Sequence, residues 1–259
     1  MYFGFSDITV SYGRKNVLDH VTVSVEKGEF VTVCGKNGCG KTSLLKTFSG
    51  AVVPVSGEVV FEDRGVKTYP RKELAKKIAY LPQFNSAPED IDVRTLVSYG
   101  RYPYKKFPYG FAKDDRTAVE ETLEMTGLSS IAEREVRTLS GGERQRAWIA
   151  MTLCRRPEVL VLDEPAAHLD IGYQTEVMEL LAKLKSNMGL TVLAVLHDLN
   201  TAAAYSDRMV ILDGGSVAAS GSPKEVLTEE NLGRIFGIRA SVIHDERAGY
   251  PYFLPLRKI

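Results

Sequence analysis

The chain has no excess of either charge: 33 lysines and arginines balance 33 aspartates and glutamates, so the formal net charge is zero. Without a global basic field nothing points to DNA or RNA, and no nucleic-acid partner is expected. Cysteine is scarce. Cys34, Cys39 and Cys154 are scattered, which gives neither a disulfide framework nor a zinc pattern. Reduced thiols in the cytoplasm are the simplest reading. Long apolar runs are missing too. The longest, such as residues 159–162 and 191–196, are strand-sized, far short of the roughly 20 residues a membrane-spanning helix needs. Met1-Tyr2-Phe3-Gly4-Phe5-Ser6-Asp7 lacks a basic region followed by an apolar stretch, so no signal peptide is expected. Work at a membrane would be peripheral.

What is present is an ordinary globular balance, 44% hydrophobic and 25% charged, with enough apolar residues for a sizeable core. Residues 2–10 and 18–25 read as β-rich strands with a turn at Gly13, and Lys27-Gly28-Glu29 as a second turn. Residues 30–34 form a short apolar run that suits a strand buried on both faces. Strands at 58–61 and 78–81 follow. Between 85 and 139 the character shifts to helical pieces, 93–99 and 115–126, joined by loops with Pro and Tyr. After that, helices and strands alternate. Val177, Leu180, Leu181, Leu184 and Met188 share one helical face, and Ser222-Pro223-Lys224-Glu225 starts a further helix. The tail after Gly237 is loosely patterned. The alternation predicts a mostly parallel sheet covered by helices.

Three stretches carry chemistry. Gly35-Lys36-Asn37-Gly38-Cys39-Gly40-Lys41-Thr42 fits the G-x-x-x-x-G-K-[ST] pattern between an apolar strand and a helix. Glycines let successive N–H groups point at phosphate oxygens, and the helix start adds its positive dipole end. Lys41 supplies a full charge, and the Thr42 hydroxyl, next to Ser43, can ligate Mg²⁺. Val159-Leu160-Val161-Leu162 is an apolar strand ending in Asp163 and Glu164. Ligands collect at such carboxyl ends; Asp163 can hold Mg²⁺ through water, and Glu164 can polarise an attacking water. Read alone, this pair could be a solvated acidic turn. Finally, Ser140 can cap the helix that follows it, and Gly141 and Gly142 leave backbone N–H groups unobstructed, making a second anion site.

Leu139-Ser140-Gly141-Gly142-Glu143-Arg144-Gln145, about 20 residues before the Asp-Glu strand, completes a pattern. Over nearly its whole length the chain resembles the ATP-binding-cassette (ABC) ATPases. The loop from Gly35 to Thr42 resembles their Walker A, the strand to Asp163 their Walker B, and Leu139 to Gln145 their signature. Gln83 resembles the glutamine that touches Mg²⁺ and water, Leu169-Asp170 the loop joining two cassettes, and His197 the switch histidine at the γ-phosphate. Tyr12 sits where the family stacks an aromatic ring on adenine. Singly, Tyr12 reads as a half-exposed strand residue, Gln83 as a surface residue and His197 as structural; order and spacing change that. His20, His168 and His244 keep a structural reading.

The resemblance implies an α/β P-loop NTPase core, with an N-terminal antiparallel β portion and an inserted helical subdomain. The implied division is residues 1–84 and 156–240 for the nucleotide-binding core, 85–155 for the helical subdomain and 241–259 for a tail. It implies ATP and Mg²⁺ as ligands, a head-to-tail dimer and a working ATPase. In that dimer one copy's Gly35–Thr42 loop and the other's Ser140–Gly142 would clamp each ATP. Three departures from the family pattern stand out: Lys36 where proline is usual, Cys39 where serine is usual, and Ala166-Ala167 in place of a hydroxyl pair. Cys39 is expected to make turnover sensitive to alkylation, with ATP protecting. Tyr99-Gly100-Arg101-Tyr102-Pro103-Tyr104 and His168-Leu169-Asp170-Ile171 resemble cassettes that energise importers of iron-siderophores, haem or cobalamin. That implies a separate transmembrane permease, an indirectly coupled substrate-binding protein, and a place on the cytoplasmic face of the membrane. Residues 101–107 read either as an exposed loop with snorkelling side chains or as a permease-docking surface through Tyr102 and Tyr104. The competing functions are a soluble cassette in a non-transport process, such as translation, DNA repair or iron–sulfur assembly, and a nucleotide-binding regulator without turnover.

Overall fold

The structure is a computed structural model and describes residues 1–88, 90–105, 112–167 and 169–258. The sequence readings that fall on His168 and on residues 106–107 lie outside the described residues. In chain order the elements are β1 (Phe3–Tyr12), β2 (Lys15–Val25), β3 (Phe30–Gly35), α1 (Lys41–Ser49), β4 (Ser56–Phe61), β5 (Arg64–Gly65), α2 (Arg71–Lys77), β6 (Ile78–Leu81), α3 (Val93–Ser98), α4 (Lys113–Met125) and α5 (Gly141–Leu153). Then come β7 (Val159–Asp163), α6 (Ile171–Met188), β8 (Thr191–Val195), α7 (Leu199–Tyr205), β9 (Arg208–Asp213), β10 (Ser216–Gly221), α8 (Pro223–Val226), α9 (Glu229–Asn231), β11 (Ile238–His244) and β12 (Pro251–Lys258). They fall into two compact units, Met1–Thr68 with Thr191–Ile259, and Tyr69–Leu190.

In the first unit β2, β1, β4 and β5 form an antiparallel sheet in that order. Phe3, Phe5, Ile8, Leu18, Val21 and Val25 are fully buried, each worth about 1.5–3 kcal/mol of transfer free energy. The β1–β2 ladder shifts register near Asp7 and His20, both at positive φ, which marks bulges. His20 Nδ1 and Asp7 Oδ1 lie 2.8 Å apart there. A second sheet sets β3 between β8 and β9, parallel to both, with β10 antiparallel to β9. Every residue of β3 is buried, the expected cost of a strand covered on both faces being a continuous apolar run. Thr32 is its one side-chain hydroxyl, and it shares a hydrogen bond of 2.9 Å with Ser206 Oγ, as a buried polar group requires.

The tail is more ordered than its pattern predicts. β11 and β12 pair as an antiparallel hairpin, and Gly249 takes a positive φ between them. Pro251 and Pro255 interrupt the alternation that would reveal a strand. Tertiary bonding compensates: the Asn200 carboxamide donates to Phe253 O (3.1 Å) and accepts from Phe253 N–H (2.9 Å).

In the second unit β6 and β7 pair in parallel, from Ile78 opposite Val159 to Leu81 opposite Leu162. Both strand ends therefore point the same way. Helices α3, α4 and α5 pack together, with Leu96, Leu123 and Ile149 in their core. Here the exposed-loop reading is corrected for the described part, residues 101–105, at Arg101 and Tyr104. Residues Tyr99–Tyr104 form a 3-10 turn, and Arg101 is buried. Its Nε donates to Asp115 Oδ1 (2.8 Å), its Nη1 donates to Cys154 O (2.9 Å), and its guanidinium lies 3.6 Å from the Tyr104 ring centroid. The Tyr104 hydroxyl donates to Arg155 O (2.8 Å). A buried charge persists when it is paired and hydrogen-bonded, and Asp115 provides that. Tyr102, 52% exposed, keeps an open face.

Candidate functional site

The candidate functional residues fall into three groups, one in the first unit and two in the second. The first group belongs to the first unit. After β3 the chain turns through exposed Lys36, Asn37 and Gly38 and re-enters at buried Cys39 and Gly40. Gly40 is the N-cap of α1 at φ 107, and no side chain caps the helix. A Cβ at Gly40 would fall 2.4 Å from Leu18 Cδ2 and 2.9 Å from Val17 O; glycine alone meets both the backbone angle and the space. The first turn of α1 holds no acidic side chain, so no carboxylate of that turn offsets the positive end of its dipole. Lys41 is buried, and its Nζ donates to Gly35 O (2.8 Å) and Lys36 O (3.0 Å). An ammonium carries three donors. Thr42 and Ser43 are half-buried in the first helical turn.

Cys39 is buried within the loop, with its Sγ 3.9 Å from Lys41 Nζ. Burial pushes its thiol up, and the Lys41 charge works against that rise. Cys34, on β3, is pushed up to about 12 by burial. The expected alkylation at Cys39 is therefore slower than at a free thiol, because the thiolate is the nucleophile. In the same unit His197 stands exposed just past the end of β8. Asp198 next to it caps α7 by accepting from Thr201 N–H (3.0 Å). Tyr12 ends β1 and is 53% exposed, a ring face open to a planar partner.

The second group lies where β6 and β7 end. Asp163, the last residue of β7, is buried. Glu164 follows at φ 54, a left-handed backbone that costs a non-glycine residue about 1–2 kcal/mol. Gln83 lies two residues beyond β6, and its Nε2 donates to Glu164 Oε2 at 2.6 Å. These two residues, 81 apart in sequence, are thus in direct contact. Burial and the Asp163 charge together push the Tyr80 hydroxyl up to about 12.

The third group is the start of α5. Ser140 is its N-cap: Ser140 Oγ accepts from Glu143 N–H (3.3 Å), and Glu143 Oε2 accepts from Ser140 N–H (2.8 Å). That reciprocal cap satisfies two donors and holds the Glu143 carboxyl below its usual range, chiefly through the Ser140 N–H. Gly141 is exposed and Gly142 buried. A Cβ on Gly142 would fall 2.2 Å from Tyr173 Cδ1. Sequence reasoning missed Tyr173: a tyrosine in the first turn of a helix carries no signal of what it touches.

The profile of the ABC transporter family matches residues 18–167, which takes in the loop, Gln83, the α5 start and the Asp-Glu pair. The chain belongs to the ABC transporter family. It is 41% identical over 249 residues to the ferric enterobactin transport ATP-binding protein FepC of Escherichia coli (strain K12), covering 96% of this chain and 92% of FepC. Its fold matches a metal-chelate type ABC transporter in an inward-facing conformation, with a TM-score of 0.84 at 26% identity over 99% of this chain and 98% of that one. It also matches the dimeric post-hydrolysis state of the ATP-binding cassette MJ0796 bound to ADP and Pi. There the TM-score is 0.72 at 28% identity over 85% of this chain and 98% of that one. This ABC cassette is an ATP-binding ATPase with an α/β P-loop fold. Its antiparallel β1, β2 and β4, its parallel β3, β8 and β9, and its helices agree with the architecture expected from the sequence. Of the departures from the family pattern, Lys36 is exposed, with Nζ 3.9 Å from Asp213 Oδ1.

Proposed function

We propose that this ABC ATPase is the motor subunit of an importer for iron-siderophore cargo, or the related haem and cobalamin class, and that it drives a permease carried on other chains. The observation that carries the catalytic part is the Gln83–Glu164 contact at the ends of β6 and β7. It joins the proposed water-polarising carboxylate to a side-chain amide that can respond to the nucleotide. The cargo class rests on the likeness to a ferric enterobactin transport ATP-binding protein over nearly the full length of both chains. Among the described residues no helix is long and apolar enough to cross a membrane, which fits a division of labour with separate membrane subunits.

In this reading the loop Gly35, Lys36, Asn37, Gly38, Cys39, Gly40, Lys41, Thr42 and Ser43 binds the phosphates through backbone N–H groups, with Lys41 adding charge. Tyr12 stacks on the base. Mg²⁺ suits the donor set. Among the described residues no three His, Cys, Asp or Glu side chains gather to cage a metal, and Mg²⁺ prefers one or two protein oxygens plus phosphate and water. Thr42, Gln83 and buried Asp163 are the residues that would offer oxygens to it. When bound there, Mg²⁺ would supply neutralisation of charge on the phosphates. Glu164 orients the attacking water and draws its proton, and His197 donates to the γ-phosphate. Ser140, Gly141 and Gly142 act on the nucleotide of a second copy packed head to tail, so that hydrolysis removes the group tying the copies together. Residues 1–84 and 156–240 form the nucleotide-binding core, 85–155 the helical subdomain and 241–259 the tail. The subunit sits on the cytoplasmic face of the membrane, coupled through the permease to a substrate-binding protein.

Replacing Glu164 by Gln tests this. Hydrolysis should fall at least about 100-fold while ATP binding persists. The tagged variant captured from native membranes with ATP should bring down a polytopic membrane protein. Undiminished phosphate release would remove Glu164 from the mechanism, and capture of soluble partners instead would favour a non-transport cassette.

A further inference from the structure

Tyr173 is the third residue of α6, and its ring occupies the space that a side chain at Gly142 would need. A Cβ there would lie 2.2, 2.5 and 2.7 Å from three of its ring carbons. One residue earlier, a Cβ on Gly141 would lie 3.4 Å from Leu169 Cδ2. Tyr173 is itself anchored. Its N–H donates to the capping Asp170 Oδ1 (3.1 Å), and Gln174 Nε2 donates to Leu169 O (2.8 Å). Leu169 to Gln174 is thus one bonded turn, and it meets the α5 start through an aromatic ring and a leucine. An Arg146–Glu176 ion pair joins α5 and α6 further along.

The Ser140–Glu143 cap sets the local geometry of the first turn of α5, but a cap does not fix where that turn sits. A flat ring against a glycine does, because interiors are packed too densely for the backbone to shift without losing contact. We propose that Tyr173 is a positioning residue: it seats the backbone amides of Ser140–Gly142 on the Leu169–Asp170 turn, and so sets how tightly this element clamps the nucleotide held by a second copy. This rests on the two-cassette reading given above. Tyr173 makes no bond to nucleotide in this scheme. Binding of ATP to the Gly35–Thr42 loop of the same chain is independent of it.

The test uses the full-length Glu164→Gln protein, with ATP-driven dimerisation followed by sedimentation and monomer affinity followed with a fluorescent ATP analogue. Tyr173→Ala should weaken dimerisation about tenfold, as misplaced contacts do, with monomer affinity unchanged within about twofold. Tyr173→Phe, which keeps the ring, should restore dimerisation. Tyr173→Leu keeps apolar volume without a flat ring and should also weaken it; it serves if the alanine variant does not fold. Gly142→Ala should abolish dimerisation, and combining it with Tyr173→Ala should recover part of it, because the new methyl enters the vacated space. Dimerisation at the parent level in both Tyr173→Ala and Tyr173→Leu would overturn the proposal. A parent protein that stays monomeric with ATP would overturn the two-cassette reading, and the proposal with it.

Discussion

Two helices of this molecule begin with glycine and small residues, yet they treat their first-turn N–H groups in opposite ways. At α1 the N-cap is Gly40, no side chain caps the turn, and no acidic residue follows. At α5 Ser140 and Glu143 cap each other, and Glu143 brings a negative charge into the first turn. Unpaired first-turn donors are what a helix offers an anion. At α1 they are left for a ligand, and Lys41 adds charge. At α5 part of the set is committed internally, leaving a weaker, supplementary contact. On the proposed reading the difference separates a primary phosphate site from a clamp, and it makes the two ends unequal in what their loss should do.

The largest expected effect is at the uncapped end. Lys41→Ala removes a buried ammonium, and hydrogen bonds to charged groups contribute roughly 1.5–3 kcal/mol each. ATP affinity measured by calorimetry should fall about 100-fold, and hydrolysis with it. An affinity loss below about threefold would mean that the backbone amides carry the site alone, and the contrast between the ends would lose its electrostatic half.

At the capped end the effect should be smaller and of another kind. Ser140→Ala removes a cap contributing about 1 kcal/mol, which lowers the melting temperature by about 2–4 °C. ATP affinity of the single chain should not change. A large loss of affinity with no loss of stability would reverse the assignment, making Ser140 a direct ligand of the chain's own nucleotide.

How far these sites could be read from the sequence followed the same contrast. Gly40 and Lys41 were legible because a phosphate loop needs glycine where the backbone turns left-handed and a lysine beside it. The Ser140 cap was legible because it directly precedes a helix, whereas the reciprocal bond from Glu143 emerged only in the structure. Contacts between distant segments were not. Gln83 and Glu164 touch, yet the separate motifs carry no sign of it. Arg101 read as solvated because arginine is seldom buried, and its partner Asp115 is 14 residues away. The β11–β12 hairpin was hidden by its prolines and is held by Asn200, some 50 residues upstream.

The smallest effect sharpens the comparison at the loop itself, where α5 has no counterpart. Two influences act on the Cys39 thiol: burial raises its pKa and the Lys41 charge lowers it, with burial the larger. A thiol held above its ordinary value is neutral at pH 7, and its thiolate grows about tenfold per pH unit until the raised pKa is reached. Alkylation of Cys39, followed by mass spectrometry, should therefore be slow at pH 7 and still accelerating above pH 9. Saturating ATP should slow it further, since it covers the loop. Cys34, pushed up to about 12 and fully buried, should not react while the protein is folded. A rate already at its plateau near pH 7 would mean that the positive charge at the loop outweighs burial. The uncapped end would then be more strongly electropositive than its geometry implies.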